Sequence, residues 1–183
     1  MDCEVVRYQT AGDDRSKIAD EIREAWKEAD LILTTGGVSV GEKDLLPGVI
    51  ENLTGNVLFH GIQVKPGMPT MLSVVNGTPV LSLSGNPFAV EALFEVLAGG
   101  YLTDMEAGRY LQKNQMKILK QTFVKTGKMK RIVKGRCDES GVYLPQIQKN
   151  GQLKNGIGSN CLVIFPEGER TYTEGEAVRV IRI

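Results

Sequence analysis

Two glycine-containing turns hold the residue types best suited to chemistry in this chain of 183 residues. The first is Thr34-Thr35-Gly36-Gly37-Val38-Ser39-Val40-Gly41, followed at once by Glu42-Lys43-Asp44, and the second is Ser84-Gly85-Asn86-Pro87. Each comes after a run rich in apolar and β-branched residues and precedes a helical pattern. At such strand-to-helix turns free backbone N–H groups and the helix dipole favour an anion, and the carboxyl edge of an open α/β sheet is where ligands sit. Glycine lets the backbone approach a phosphate or oxyanion closely, and Thr34, Thr35, Ser39 and Ser84 add hydroxyl donors. The competing reading, that these glycines only make tight turns, loses ground when two turns converge on one edge. Neither turn has the spacing G-x-x-x-x-G-K-[ST] or G-x-G-x-x-G, so a P-loop or Rossmann assignment has no support.

Charged candidates flank the turns. A Mg²⁺ bridging substrate phosphates uses one or two carboxylates and several waters, and Asp44 with Asp13 or Asp14 could provide them; a helix-capping carboxylate is the equal alternative. Lys65, held by the rigid Pro66-Gly67-Met68-Pro69 turn, is a candidate positive contact to phosphate or oxyanion. His60 has no Cys or His partner nearby in sequence and reads as a structural histidine rather than a metal ligand. Cys3, Cys137 and Cys161 share no C-x-x-C spacing and read as buried small hydrophobes.

The elements that position these residues follow from periodicity. Residues 4–8 read as a short strand. Asp13-Asp14 then precede a helix with its apolar stripe at Ile18, Ile22, Ala25, Trp26 and Ala29. Residues 31–35 form a nearly continuous apolar strand of the kind covered by helices on both faces. A short helix over 44–53 has Pro47 in its first turn, and 57–64 is extended. Strands 70–75 and 79–83 are joined by Asn76-Gly77, a strong hairpin signal. Asn86 is placed to cap, and Pro87 to start, a helix with Phe88, Leu93, Phe94 and Leu97. Beyond about 104 the pattern changes to short strands at 116–119, 122–124, 132–133, 142–147, 161–165 and 177–183, separated by turn residues. Strands without helices predict a small β-barrel or sandwich.

Composition bounds the classes. The chain has 22 basic and 22 acidic residues, but residues 1–103 carry a net −7 and residues 104–183 a net +7, which favours two domains. No stretch approaches the ~18 apolar residues of a membrane span, and the start lacks a secretory signal, so a cytoplasmic location and no membrane partner are expected. Residues 113–136 hold nine Lys and Arg and no acid, yet Phe123 is the only aromatic among them, so no nucleic-acid partner is expected.

The segments 34–44, Val64-Lys65-Pro66-Gly67-Met68-Pro69-Thr70 and Ser84-Gly85-Asn86-Pro87 resemble the T-G-G-V-S-x-G-x-x-D, K-P-G-x-P and P-G-N-P signatures of the MoeA/gephyrin E-domain family. Gly158-Ser159-Asn160-Cys161-Leu162 and Pro166-Glu167-Gly168 are similar to turns of its C-terminal β-domain. The resemblance implies a MogA-like three-layer α/β/α domain, N-terminally truncated, over 1–103, a linker over 104–113, and a small C-terminal β-barrel domain over 114–183. It implies a molybdopterin molybdenumtransferase of molybdenum cofactor biosynthesis, which inserts molybdate into adenylylated molybdopterin with release of AMP. An adenylyltransferase of the MogA class and a non-catalytic scaffold are the alternatives.

By position, Thr35, Gly36, Gly37, Ser39 and Gly41 would line the substrate site, and Ser84, Gly85, Asn86 and Pro87 would form its second turn. Asp44 would be catalytic and bind Mg²⁺ with Asp13 or Asp14. Lys65 and Ser159 would face molybdate, and Pro66 and Gly67 would belong to the substrate site. Ser84 replaces a usual Pro, Met68 a frequent Lys, and Lys128, Lys130 and Arg131 are alternatives for an expected arginine. The upstream domains of the family have no counterpart here. The resemblance therefore implies a portion of a homodimeric transferase that needs a separate N-terminal portion for activity.

Overall fold

The structure is a computed structural model and describes residues 3–39, 41, 44–99, 102, 114–145 and 158–183. It divides into two compact units, 1–62 with 67–90, and 63–66 with 91–183. The units therefore part within a helix rather than at 103/104, and the linker expected at 104–113 lies outside the described residues.

In the first unit α1 (Arg15–Ala25) begins where Asp14 accepts hydrogen bonds from the Ser16 and Lys17 N–H groups, at 2.9 and 3.2 Å. These satisfy two of the orphan donors at the helix start. Then come β1 (Ile32–Thr35), α2 (Leu46–Asn52) with Pro47 in its first turn, and β2 (Asn56–His60). After β3 (Val64–Lys65), which belongs to the second unit, β4 (Met71–Val75) and β5 (Thr78–Leu83) form a hairpin. Its turn residues Asn76 and Gly77 have φ of 49° and 83°, as a two-residue primed turn requires. The sheet order is β1-β5-β4-β2, with β1 and β5 parallel and the other pairs antiparallel.

One face of this sheet is covered by the helices. Ile32, Met71, Val75 and Val80 form one cluster with Ile22 of α1, Leu46, Val49 and Ile50 of α2, and the loop residues Val38 and Leu53. Full burial of each large member is worth roughly 1.5–3 kcal/mol.

Two expectations change here. Residues 4–8 are irregular: Val5 and Tyr8 are exposed, and Arg7 pairs with Glu21 and Glu28 of and beyond α1, so side-chain charge replaces a strand ladder. β1 is not covered on both faces, since Leu33 is 41% exposed, and it pairs only with β5 among the described strands.

Helix α3 (Pro87–Leu93) continues as a π-helical stretch over Phe94–Ala98. The strands of the second unit are β6 (Asn114–Ile118), β7 (Phe123–Lys125), β8 (Lys130–Cys137), β9 (Val142–Tyr143), β10 (Cys161–Phe165), β11 (Arg170–Tyr172) and β12 (Ala177–Arg182). The main sheet runs β3-β8-β10-β12-β6, and β9 pairs with β8. A bridge between Leu119 and Val142 joins the end of β6 to β9 and closes the strands into a barrel. β11, which pairs with β7, was not legible in the sequence because three residues are too few for an alternation.

The barrel core includes Phe165, whose ring lies 4.5 Å from that of Phe123 and 4.7 Å from that of Tyr172. Lys125 is 1% exposed and donates to the Gly127 and Gly168 carbonyls, so two turns are held by one buried ammonium. Cys137 and Cys161 are buried, and burial followed by the neighbouring Cys137 pushes the Cys161 thiol up to about 12, leaving it an inert thiol. Cys3 is exposed, contrary to expectation, because the irregular start gives it no core to enter.

Candidate functional site

Because β1 and β5 are parallel and paired through Thr35 and Leu83, both glycine turns leave the sheet at one carboxyl edge. They touch there. The Gly36 N–H donates to the Leu83 carbonyl at 2.9 Å, and a Cβ on Gly85 would lie 3.6 Å from the Gly36 Cα. Gly36 and Gly37 have φ of 84° and 63°, a consecutive left-handed pair that L side chains rarely adopt. A Cβ at either position would meet no atom of the described residues within 4 Å.

The first turn is closed by its own residues. The Gly37 carbonyl accepts from the Leu46 N–H at 3.0 Å, and the Gly41 carbonyl accepts from the Asp44 N–H at 2.9 Å. The Asp44 carboxylate accepts the Gly41 N–H at 2.9 Å. It thus closes the turn rather than capping α2, whose cap position is Leu45 with no side-chain bond. From β2, His60 Nε2 donates to the Val38 carbonyl at 2.7 Å. What remains without a partner among the described residues is the run of N–H groups of Gly37, Val38 and Ser39.

Hydroxyls add to these donors. Thr34 Oγ1 and Ser84 Oγ are inaccessible and unpaired among the described residues, as are Ser82 Oγ and Ser73 Oγ further in. Thr34 is the register partner of Ser82, so their side chains share one sheet face. Successive free amides with hydroxyl donors make a concavity suited to an oxyanion. Asn86 caps α3 by accepting from the Ala89 N–H at 3.1 Å, and Pro87 is the first residue of that helix. Thr35 is exposed, and Ser39 and Ser84 are half-buried.

The acidic candidates are not equivalent. One oxygen of Asp14 is committed to capping α1, and Asp13 is exposed. Arg15 reaches the first turn of α2, where a Cβ on Gly48 would lie 3.3 Å from its guanidinium. Among the described residues no group of three or more His, Cys, Asp or Glu could by itself hold a metal ion. Asp44 has one oxygen on the Gly41 N–H, and its other oxygen has no partner among the described residues.

A second group of candidates lies within the barrel unit. β3 pairs with β8 in register Lys65↔Arg131, so two cations stand side by side on one face, and neither has a carboxylate partner among the described residues. Of the alternatives Lys128, Lys130 and Arg131, the register therefore puts Arg131 directly beside Lys65. The peptide between Lys65 and Pro66 is cis, and the Gly67 carbonyl accepts from Thr70 Oγ1 at 2.7 Å. Ser159 is not brought to this pair. It precedes the Cys161↔Gly135 end of the β10–β8 ladder, whereas Arg131 is at the Phe165 end, on the order of 15–20 Å away at the rise of a strand. Elsewhere in the basic run, Lys134 pairs with Glu91 at 2.5 Å and Lys117 donates to the Asp138 carbonyl.

A family model described as "Probable molybdopterin binding domain" matches residues 1–104, more than half of the chain. The chain belongs to the molybdopterin-binding domain family. Both units of this molybdopterin-binding family member have MoeA-type counterparts. It is 30% identical to the molybdopterin molybdenumtransferase of Staphylococcus aureus strain COL, over 97% of this chain and 44% of that one. The enzyme of the same description from Staphylococcus epidermidis strain ATCC 12228 is 27% identical over the same shares. Two crystal structures of the molybdopterin biosynthesis MoeA protein from Pyrococcus horikoshii match with TM-scores of 0.76 and 0.72 at 28% and 25% identity. They cover 93% of this chain and 41% and 40% of those chains. The chain thus spans less than half the length of the curated relatives it matches. The α/β unit followed by a small β-domain is the architecture these neighbours share with it.

Proposed function

We propose that the chain works in molybdenum cofactor biosynthesis as the molybdopterin-binding and metal-inserting portion of a molybdopterin molybdenumtransferase. The observation that carries this is the joining of the two glycine turns, which leaves the Gly37, Val38 and Ser39 amides without a partner among the described residues, with the enclosed, unpaired hydroxyls of Thr34 and Ser84 where the two strands enter the turns. These donors would hold the anionic groups of adenylylated molybdopterin. Lys65 and Arg131 would draw molybdate, a dianion, by charge and by hydrogen bonds. Asp44 would offer its free oxygen to a Mg²⁺ bound to substrate phosphates, whose role is to offset the charge that develops as AMP leaves.

The test is titration of the chain with adenylylated molybdopterin, with and without molybdate and Mg²⁺, following bound ligand and released AMP. Binding together with molybdate-dependent AMP release supports the proposal. Absence of binding with the N-terminal portion of a relative also present would overturn it. Transfer of AMP from ATP to bare molybdopterin, with release of pyrophosphate, would move the assignment to the adenylyltransferase class.

A further inference from the structure

Strand β2 is not regular. Its register with β4 runs Val57↔Ser73 and then Phe59↔Leu72 and His60↔Met71, a bulge that leaves Leu58 unpaired. Side chains alternate along a regular strand, so Val57 and His60 would face opposite sides without the extra residue. The bulge turns His60 onto the face of Met71, which is also the face of Ser82 and, through Ser82, of Thr34. It is on this face that Val38 is buried against Met71's cluster and that His60 Nε2 meets the Val38 carbonyl at 2.7 Å. A carbonyl can only accept, so the ring donates from Nε2.

A peptide group is planar and trans, and its C=O and N–H point in opposite directions. With the Val38 carbonyl held by His60, the Ser39 N–H must point away from the ring. If this peptide flipped, a carbonyl oxygen would replace an amide donor on the ligand side, and an oxyanion would be repelled there. We infer that His60 is a positioning residue, aimed by the β2 bulge, that locks the Val38–Ser39 peptide in the orientation that binds an anion. The part of this inference that concerns the ligand rests on the proposed function; the locking of the peptide does not.

The test compares His60→Phe, which keeps a ring but no donor, with His60→Gln, whose side-chain amide nitrogen reaches about as far as Nε2. In the ligand-free chain His60→Phe should shift the Val38 carbonyl ¹³C and Ser39 amide ¹⁵N resonances and speed amide exchange in the turn. It should weaken binding of adenylylated molybdopterin about 10-fold, which corresponds to about 1.4 kcal/mol. His60→Gln should restore the resonances and most of the affinity. Unchanged resonances in His60→Phe would overturn the inference. So would a His60→Gln variant as weak as His60→Phe, because the effect would then lie in ring packing. A wild-type chain that fails to bind the probe would instead count against the proposed function, and the resonance comparison would still decide the tether.

Discussion

Replacing Thr34 by Val should make the free protein more stable and the ligand-binding protein worse. Thr34 Oγ1 is cut off from solvent without a partner among the described residues, and its neighbour across the ladder, Ser82, is equally unpaired. A buried hydroxyl left unsatisfied costs about 1–3 kcal/mol relative to a matched one. Valine has the same branched shape and suits a strand, so Thr34→Val removes the polar atom with little change in packing. The free chain should gain about 1 kcal/mol, or about 2–4 °C in melting temperature for a chain of this size. If the hydroxyl instead donates to an anionic ligand, a bond to a charged group worth about 1.5–3 kcal/mol is lost on binding, at least a 10-fold drop in affinity. Urea unfolding and titration with adenylylated molybdopterin on the same preparations read both signs. Ser73→Ala is the control. Its hydroxyl is also unpaired but lies on β4, opposite Val80 and inward from the row of Thr34 and Ser82, so it should change stability without changing affinity. A Thr34→Val protein destabilised by about 1 kcal/mol or more, or one with unaltered affinity, would refute the reasoning, since opposite signs are its central claim.

Asp44→Asn keeps an oxygen for the Gly41 N–H but removes the charge, so the turn should stay closed and bind the substrate while Mg²⁺-dependent AMP release falls about 10–100-fold, the range for altered groups around a metal site. Near-normal release in the presence of Mg²⁺ would remove Asp44 from the reaction. Lys125→Met strands the Gly127 and Gly168 carbonyls at about 1–3 kcal/mol each, partly offset by no longer burying a charge, so unfolding of the barrel unit should be easier by about 2–4 kcal/mol. Faster amide exchange across β8 and β10 checks it, and unchanged exchange contradicts it. The Ser140 hydroxyl, then the Ser140 and Gly141 amides, hold Asp138 below its ordinary 3.8. A carboxyl depressed by folding stabilises above its unfolded value, and that contribution is lost as pH falls through the lower folded value. Protection of the Gly141 amide, its exchange taken relative to the intrinsic rate at each pH, should therefore fall below about pH 4, and Asp138→Asn should remove that loss of protection.

The parts of the fold that could be read from sequence are those specified by residues close together in the chain. Asp14 ahead of Ile18 and Ile22, Asn76-Gly77 between two β-branched runs, and Asn86-Pro87 before an apolar stripe each contain their own cap or turn. The convergence of the glycine turns was also legible, because parallel strands each followed by a helix share a carboxyl edge. Residues 4–8 misled because alternating apolar residues specify a strand only when a neighbouring strand accepts its hydrogen bonds. His60 could not be assigned a role because the bulge that aims it depends on pairing with β4, which no local pattern encodes. Arg131 was one of three alternatives for the same reason: its place beside Lys65 is set by a register between segments far apart in sequence. Ser159 sits near the motifs in the resemblance yet at the other end of its ladder from that pair.

Residues 63–66 belong to the barrel unit although both of their flanks, 1–62 and 67–90, belong to the other. The backbone consequently passes between the units at 62/63, 66/67 and 90/91, so that the two are stitched rather than strung. No single cut frees them: cleavage after residue 90 leaves the piece carrying β1 to β5 still in possession of β3, a strand of its neighbour's sheet. Neither unit could be exchanged between proteins as a simple cassette. A gene cut at 90/91 would leave Lys65 on one piece and Arg131, a residue of the same unit, on the other, so the two cations that share a strand register must be inherited together.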